Sequence, residues 1–138
     1  MAGPIDGVTA LHNAFRRDIA RIDVAALAAA RGEEGLEATV ERFRFFDEVL
    51  SWHAHGEEIA VFPALEAVAP SVAEAYEMDH RGLDAAFTAL SAAVDEHDAI
   101  QTARATAAFK FHLDMHLAKE DQHPVSYTHL TLPTILRV

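Results

Sequence analysis

The chain contains no cysteine. Disulfides, thiolate-held zinc, iron–sulfur clusters and thiol redox chemistry are thereby excluded. Glycine and proline are scarce, 6 and 5 among 138 residues. Few positions are therefore built to interrupt a helix, and abundant alanine favours one. Basic side chains are also in deficit: 11 Lys and Arg against 22 Asp and Glu leave a formal charge of −11. Nucleic acid and anionic membrane both require a basic surface, so neither is expected as a partner. No apolar run approaches the length that crosses a bilayer. The opening residues, Met1 to Asp6, lack the basic-then-apolar layout of a secretory signal. A cytoplasmic protein is the expectation.

What the chain does have is a repeated phrase. His53-Ala-His-Gly-Glu57 and His116-Leu-Ala-Lys-Glu120 each place a histidine four residues before a glutamate, which on a helix puts imidazole and carboxylate one turn apart on one face. A lone histidine on an earlier apolar face precedes each pair, His12 before the first and His80 before the second.

Length and hydrophobic periodicity predict one all-α domain over residues 1–124, an antiparallel up-down four-helix bundle. The first helix runs from about Val8 to Arg31, with Asp6 or Thr9 as its cap and Gly32 past its end. The second spans Leu36 to Ala67 with the stripe Val40, Phe43, Phe46, Leu50, His53, Glu57, Ala60 and Ala64, and Pro63 predicts a kink or early end. The third runs from Pro70-Ser71 to Val94 and carries Tyr76, His80, Leu83, Phe87 and Leu90 on its stripe. The fourth begins near Ile100 and presents Ala105, Phe109, His112 or Leu113, His116, Glu120 and His123. Trp52 and the phenylalanines are expected in the core, His97 in a loop, and His55 and Glu58 in solvent. At Val125 the composition turns to Thr, Pro and β-branched residues, and 125–138 resembles a translated sequencing adaptor. It is expected to be a non-native tail that leaves the last helix truncated.

Antiparallel packing brings His12, His53, Glu57, His80, His116 and Glu120 to one level. A carboxylate inside an apolar stripe costs several kcal/mol unless it is neutralised, and two cations would neutralise both. Mixed imidazole and carboxylate suits iron, manganese or zinc, whereas calcium and magnesium prefer oxygen alone. His112 is a candidate extra donor and Asp121 a competitor to Glu120. Two other readings use the same residues. Glu77-x-x-His80 and Glu120-x-x-His123 match the spacing of a ferritin-like oxidase, though His12 is then unexplained. A metal-free helical interaction module predicts that His53→Ala and Glu57→Ala are tolerated.

Around these residues the chain resembles the hemerythrin-like, or HHE, cation-binding domains. The most specific stretch is His53-Ala-His-Gly-Glu57-Glu58-Ile-Ala-Val-Phe62-Pro63, similar to the family's His-x3-Glu followed by Phe-Pro. His12, His80, His116 and Glu120 fit the remaining family positions. The resemblance implies a four-helix bundle holding a non-haem pair of iron ions joined by an oxo or hydroxo bridge, and a role in binding or sensing O2, NO or peroxide or in handling iron. The oxygen-carrying hemerythrins have a second histidine one turn after the one that His80 resembles, where this chain has Asp84. Four histidines remain, which weakens the expectation of reversible O2 carriage. Asp84, His112 or water could take the vacant place.

Overall fold

The computed structural model describes residues 4–122, with side chains described from residue 7 onward. Every regular element among them is helical. Helix α1 spans Pro4–Ala30, α2 Glu37–Gly56, α3 Phe62–Val68, α4 Pro70–Asp95 and α5 Ala99–Gln122; one turn of π-helix, Glu57–Val61, joins α2 to α3. Four rods result, because α2, the π turn and α3 form one continuous path. The expectations of an appended tail, a shortened last helix and a role for His123 concern residues outside those described. Among the described residues no helix is long and apolar enough to cross a membrane.

The helix ends follow from local chemistry. Proline stands at the first position of α1, where its missing N–H costs nothing. The helix therefore begins before the expected Val8, and Asp6 and Thr9 lie inside it and not at its cap. At the other end Gly32 adopts φ +75°, its N–H reaching Ala29 O at 3.1 Å while the Glu33 N–H reaches Ala28 O at 2.9 Å. This is the left-handed cap for which glycine is suited. His97 takes the same left-handed conformation after α4, at φ 54°. Next to it, Asp98 caps α5 by accepting the Gln101 N–H at 3.0 Å.

Pro63 disturbs the second rod through a wide turn in place of the expected kink or early end, with a consequence for phase. It has no N–H to continue the α-helical ladder, and the preceding turn widens so that the Phe62 N–H bonds Glu57 O. The wide turn absorbs one residue. The expected stripe positions Ala60 and Ala64 are accordingly displaced: Ala60 is exposed and Ala64 half-buried, while Phe62 and Leu65 are buried.

The rods close into a ring. α1 packs on α2 and α5, α4 packs on α5 and α3, and α2 meets α4 through Phe43 stacked on Phe87 at 5.1 Å between ring centroids. The larger apolar cluster contains Phe15, Ile19, Phe46, Leu90, Phe109 and Leu113. A smaller one contains Phe62, Leu65, Ala73 and Tyr76. The histidine–glutamate layer lies between the two: Phe15 stands 5.3 Å from the His53 ring on one side and Phe62 4.8 Å from the His80 ring on the other.

One expectation about the core fails. Trp52 is 76% exposed, and Phe45 and Phe111 are exposed as well. At about 100° per residue, Trp52 sits roughly 160° around the helix from Leu50. It shares an outward line with Phe45 and Ile59, seven residues to either side.

Candidate metal centre

All four rods contribute to one layer. His12 comes from α1, His53 from α2, Glu57 from the start of the π turn, His80 from α4, and His116 and Glu120 from α5. Five of these are buried, and His53 is half-buried. One ligand atom from each of Glu57, His80, His116 and Glu120 lies within 4.8 Å of the other three. The remaining pair adjoins them, with His12 Nε2 3.2 Å from His53 Nε2 and His53 Nε2 3.1 Å from Glu57 Oε1. The structure thus brings all six expected residues together.

A second ring of carboxylates surrounds the histidines. His12 Nδ1 lies 2.9 Å from Asp121, His80 Nδ1 3.2 Å from Glu58, and His116 Nδ1 3.3 Å from Asp79. Arg16 binds the other oxygen of Asp121, and Lys119 bonds Asp79 at 3.0 and 3.2 Å. Carboxylates accept from N–H, so these contacts put the hydrogens of three rings on Nδ1 and leave Nε2 as a lone pair. The Nε2 atoms of His80 and His116 then face each other at 3.1 Å. Two lone pairs at that distance repel unless a proton or a cation lies close to both.

Several expectations change here. Glu58 was expected in solvent; although the residue is exposed, its carboxylate engages His80. The reason is the turn in which it sits: one step past Glu57, it faces α4. Asp121 is not a substitute for Glu120 but the outer partner of His12. Asp79 was not anticipated at all. The signal for each was an acid adjacent in sequence to a stripe residue, aimed one helix sideways. His112 is exposed with its ring beside Phe111, which removes it as a donor. Glu77, needed for the ferritin-like reading, is also exposed.

Charge in the layer is balanced by protons. Burial, aided by the adjacent Glu120 and Glu58 carboxylates, pushes Glu57 up to about 11. Burial opposes the charge of Glu120 too, yet the Glu57 proton and the His116 ring hold it down at about 2. His116 is likewise disfavoured as a cation by burial, but Glu120 and Asp79 outweigh that and raise it. Burial and then His12 lower His53 to about 4. One carboxyl is therefore protonated and the other ionised. Even so, Glu120 Oε1 lies buried with His116 Nε2 at 2.6 Å and has no hydrogen-bond partner among the described residues. An orphaned anionic oxygen beside opposed imidazole lone pairs is a donor set that fits a divalent transition ion.

A cavity of about 80 Å³ reaches this layer along the seam between α2 and α4. Glu57, His80, His116 and Glu120 form its floor, and Leu50, Leu83 and Phe87 belong to its walls. Ser51 and Asp84, both exposed, also line it. A wider groove of about 870 Å³ lies between α1 and α2, lined by Arg21, Arg42 and Phe45 among others. It touches none of the six residues.

The hemerythrin HHE cation binding domain is the family whose model matches this chain, over residues 3–125. Zinc finger protein BRUTUS of Arabidopsis thaliana is 30% identical over 118 residues, which is 80% of this chain and 9% of that protein. The chain therefore spans less than a tenth of that relative's length. No solved structure matches.

Proposed function

Because the chain belongs to the hemerythrin HHE cation-binding family, we propose that it is a non-haem di-iron protein that binds a small ligand such as O2 or NO. His12, His53, Glu57, His80, His116 and Glu120 hold the two iron ions. The observation that carries this reading is the buried, orphaned Glu120 oxygen beside the opposed Nε2 atoms of His80 and His116. An uncompensated interior charge of this kind is costly, and a cation resolves it.

When bound, an iron pair supplies redox-active coordination positions for a diatomic ligand. The chain's own residues do the rest. Asp121, Glu58 and Asp79 fix three imidazole tautomers and aim the Nε2 atoms inward, and they raise ring basicity. Glu57 gives up its proton as a cation arrives and becomes an anionic donor. Leu50, Leu83 and Phe87 make much of the approach apolar, which suits a small diatomic ligand.

Anaerobic reconstitution with ferrous iron, followed by metal counting and an optical spectrum on exposure to air, tests the reading. The expected result is two irons per chain and near-ultraviolet charge-transfer bands that respond to O2 or NO. Manganese and zinc loaded in parallel show which ion the donor set prefers. Fewer than two tightly held ions of every kind would overturn it. Release of O2 under vacuum would mark carriage; irreversible oxidation would mark sensing or iron handling.

A further inference from the structure

We infer that the seam between α2 and α4 is the path by which divalent cations reach the centre, with Asp84 as the carboxylate that captures them at its mouth. This rests on the metal reading above.

The cavity along that seam connects the solvent side to the two central carboxylates. Glu57 and Glu120 lie at its floor, buried, while Asp84 lines the same cavity and is exposed. Asp84 stands one turn after His80 on α4, so its side chain shares the face that carries His80 to the centre. It differs from the other acids around the site. Asp121 is engaged by His12 and Arg16, Asp79 by His116 and Lys119, and Glu58 by His80. Asp47, one turn before the cavity-lining Ser51, is engaged by the Ser51 hydroxyl at 2.9 Å. Among the described residues the only hydrogen bond at Asp84 is to its backbone carbonyl, from the Thr88 hydroxyl at 2.8 Å. Its carboxylate is therefore uncommitted.

An ionised carboxylate at the mouth of a cleft with Leu50, Leu83 and Phe87 in its walls concentrates cations there and repels anions, because low-dielectric walls focus the field. From that position a cation moves inward toward two further carboxylates and three imidazoles, those of His53, His80 and His116. The outer acids cannot serve in the same way, since giving up a ring N–H or a Lys or Arg partner would undo the alignment of the histidines. Asp84 is thus assigned a kinetic role in loading and not a permanent place in the coordination shell.

The test mixes ferrous iron anaerobically with the full, cation-free chain and with Asp84→Asn. Unbound metal is trapped at set times with a chromophoric chelator, and bound iron is counted. The neutral variant should load about tenfold more slowly at low ionic strength, a gap that narrows as salt screens the field. Both proteins should reach the same final iron content, and Asp84→Glu should restore the rate. Equal rates for the chain and Asp84→Asn would overturn the inference. So would a variant that saturates with one iron fewer, because Asp84 would then be a resident ligand. A parent chain that takes up no iron refutes the metal reading itself and is a distinguishable outcome.

Discussion

Replacing Glu57 with glutamine separates the metal-bound and metal-free states by the sign and size of its effect. In the cation-free protein Glu57 is held up at about 11 by burial and by its carboxylate neighbours, so at neutral pH it is a neutral hydrogen-bond donor beside Glu120. Glutamine has the same shape and also donates. Glu57→Gln should therefore stay within about 1 kcal/mol of the parent's cation-free stability near pH 4.5, and should be the more stable of the two at neutral pH, where only the parent must hold a proton against the solution. With metal present the variant lacks an anionic ligand. A loss of about 100-fold in affinity corresponds to about 2.7 kcal/mol, and at saturating metal the stabilisation conferred by binding falls by the same amount. For a domain of this size that is roughly 8–12 °C in Tm. The pH dependence supplies an internal check. A folded pKa raised from 4.5 to about 11 contributes stability that is complete below 4.5 and is lost as pH rises through that window, at up to about 1.4 kcal/mol per pH unit. Glutamine has no proton to lose, so the cation-free variant should show a flatter decline between pH 6 and 9. Calorimetric melts with and without ferrous iron across that range measure all three effects. A cation-free variant destabilised by more than about 2 kcal/mol, or one that retains the full metal-induced rise in Tm, would refute the reasoning.

Three other outcomes are expected. Asp121→Asn should weaken metal binding by about 10- to 100-fold without reducing the number of ions held at saturation, because Asp121 orients His12 from outside; equilibrium titration against a competing chelator measures this. Loading at neutral pH should release about one proton per chain, from Glu57, and calorimetric titration in buffers of different ionisation enthalpy counts it. Trp52→Gln should shift stability by less than about 0.5 kcal/mol, and in the parent chain acrylamide should quench the fluorescence of this sole tryptophan as it does that of a solvated indole.

The six central residues were legible because they obey the helical period. Their polarity conflicts with the apolar stripes on which they lie, and such conflict marks function. The four rods were legible for the same reason, with ends marked by Gly32 and Pro70, while the Asp98 cap of α5 emerged only from the structure. The outer carboxylates were not. Glu58, Asp79 and Asp121 each stand one step off a stripe, and their roles depend on which helix lies beside which, a tertiary fact absent from any single segment. Trp52 misled in the opposite way, since aromatic bulk suggested the interior while its angular position pointed outward. A disturbance at Pro63 was foreseen as a kink or early end, but it takes the form of a wide turn, so Phe62 and Leu65 took the places expected of Ala60 and Ala64.

That wide turn at Glu57–Val61 stores one surplus residue, and this makes the segment unevenly tolerant of changes in length. Loss of a single codon from Ile59 to Val61 would only relax it to ordinary α-helix, leaving His53 and Phe62 pointed as before, whereas Glu57 and Glu58 cannot be spared. An added codon has no slack to occupy and would swing everything downstream by about 100°. Evolutionary drift along this stretch should therefore be permissive toward shortening and strict against growth.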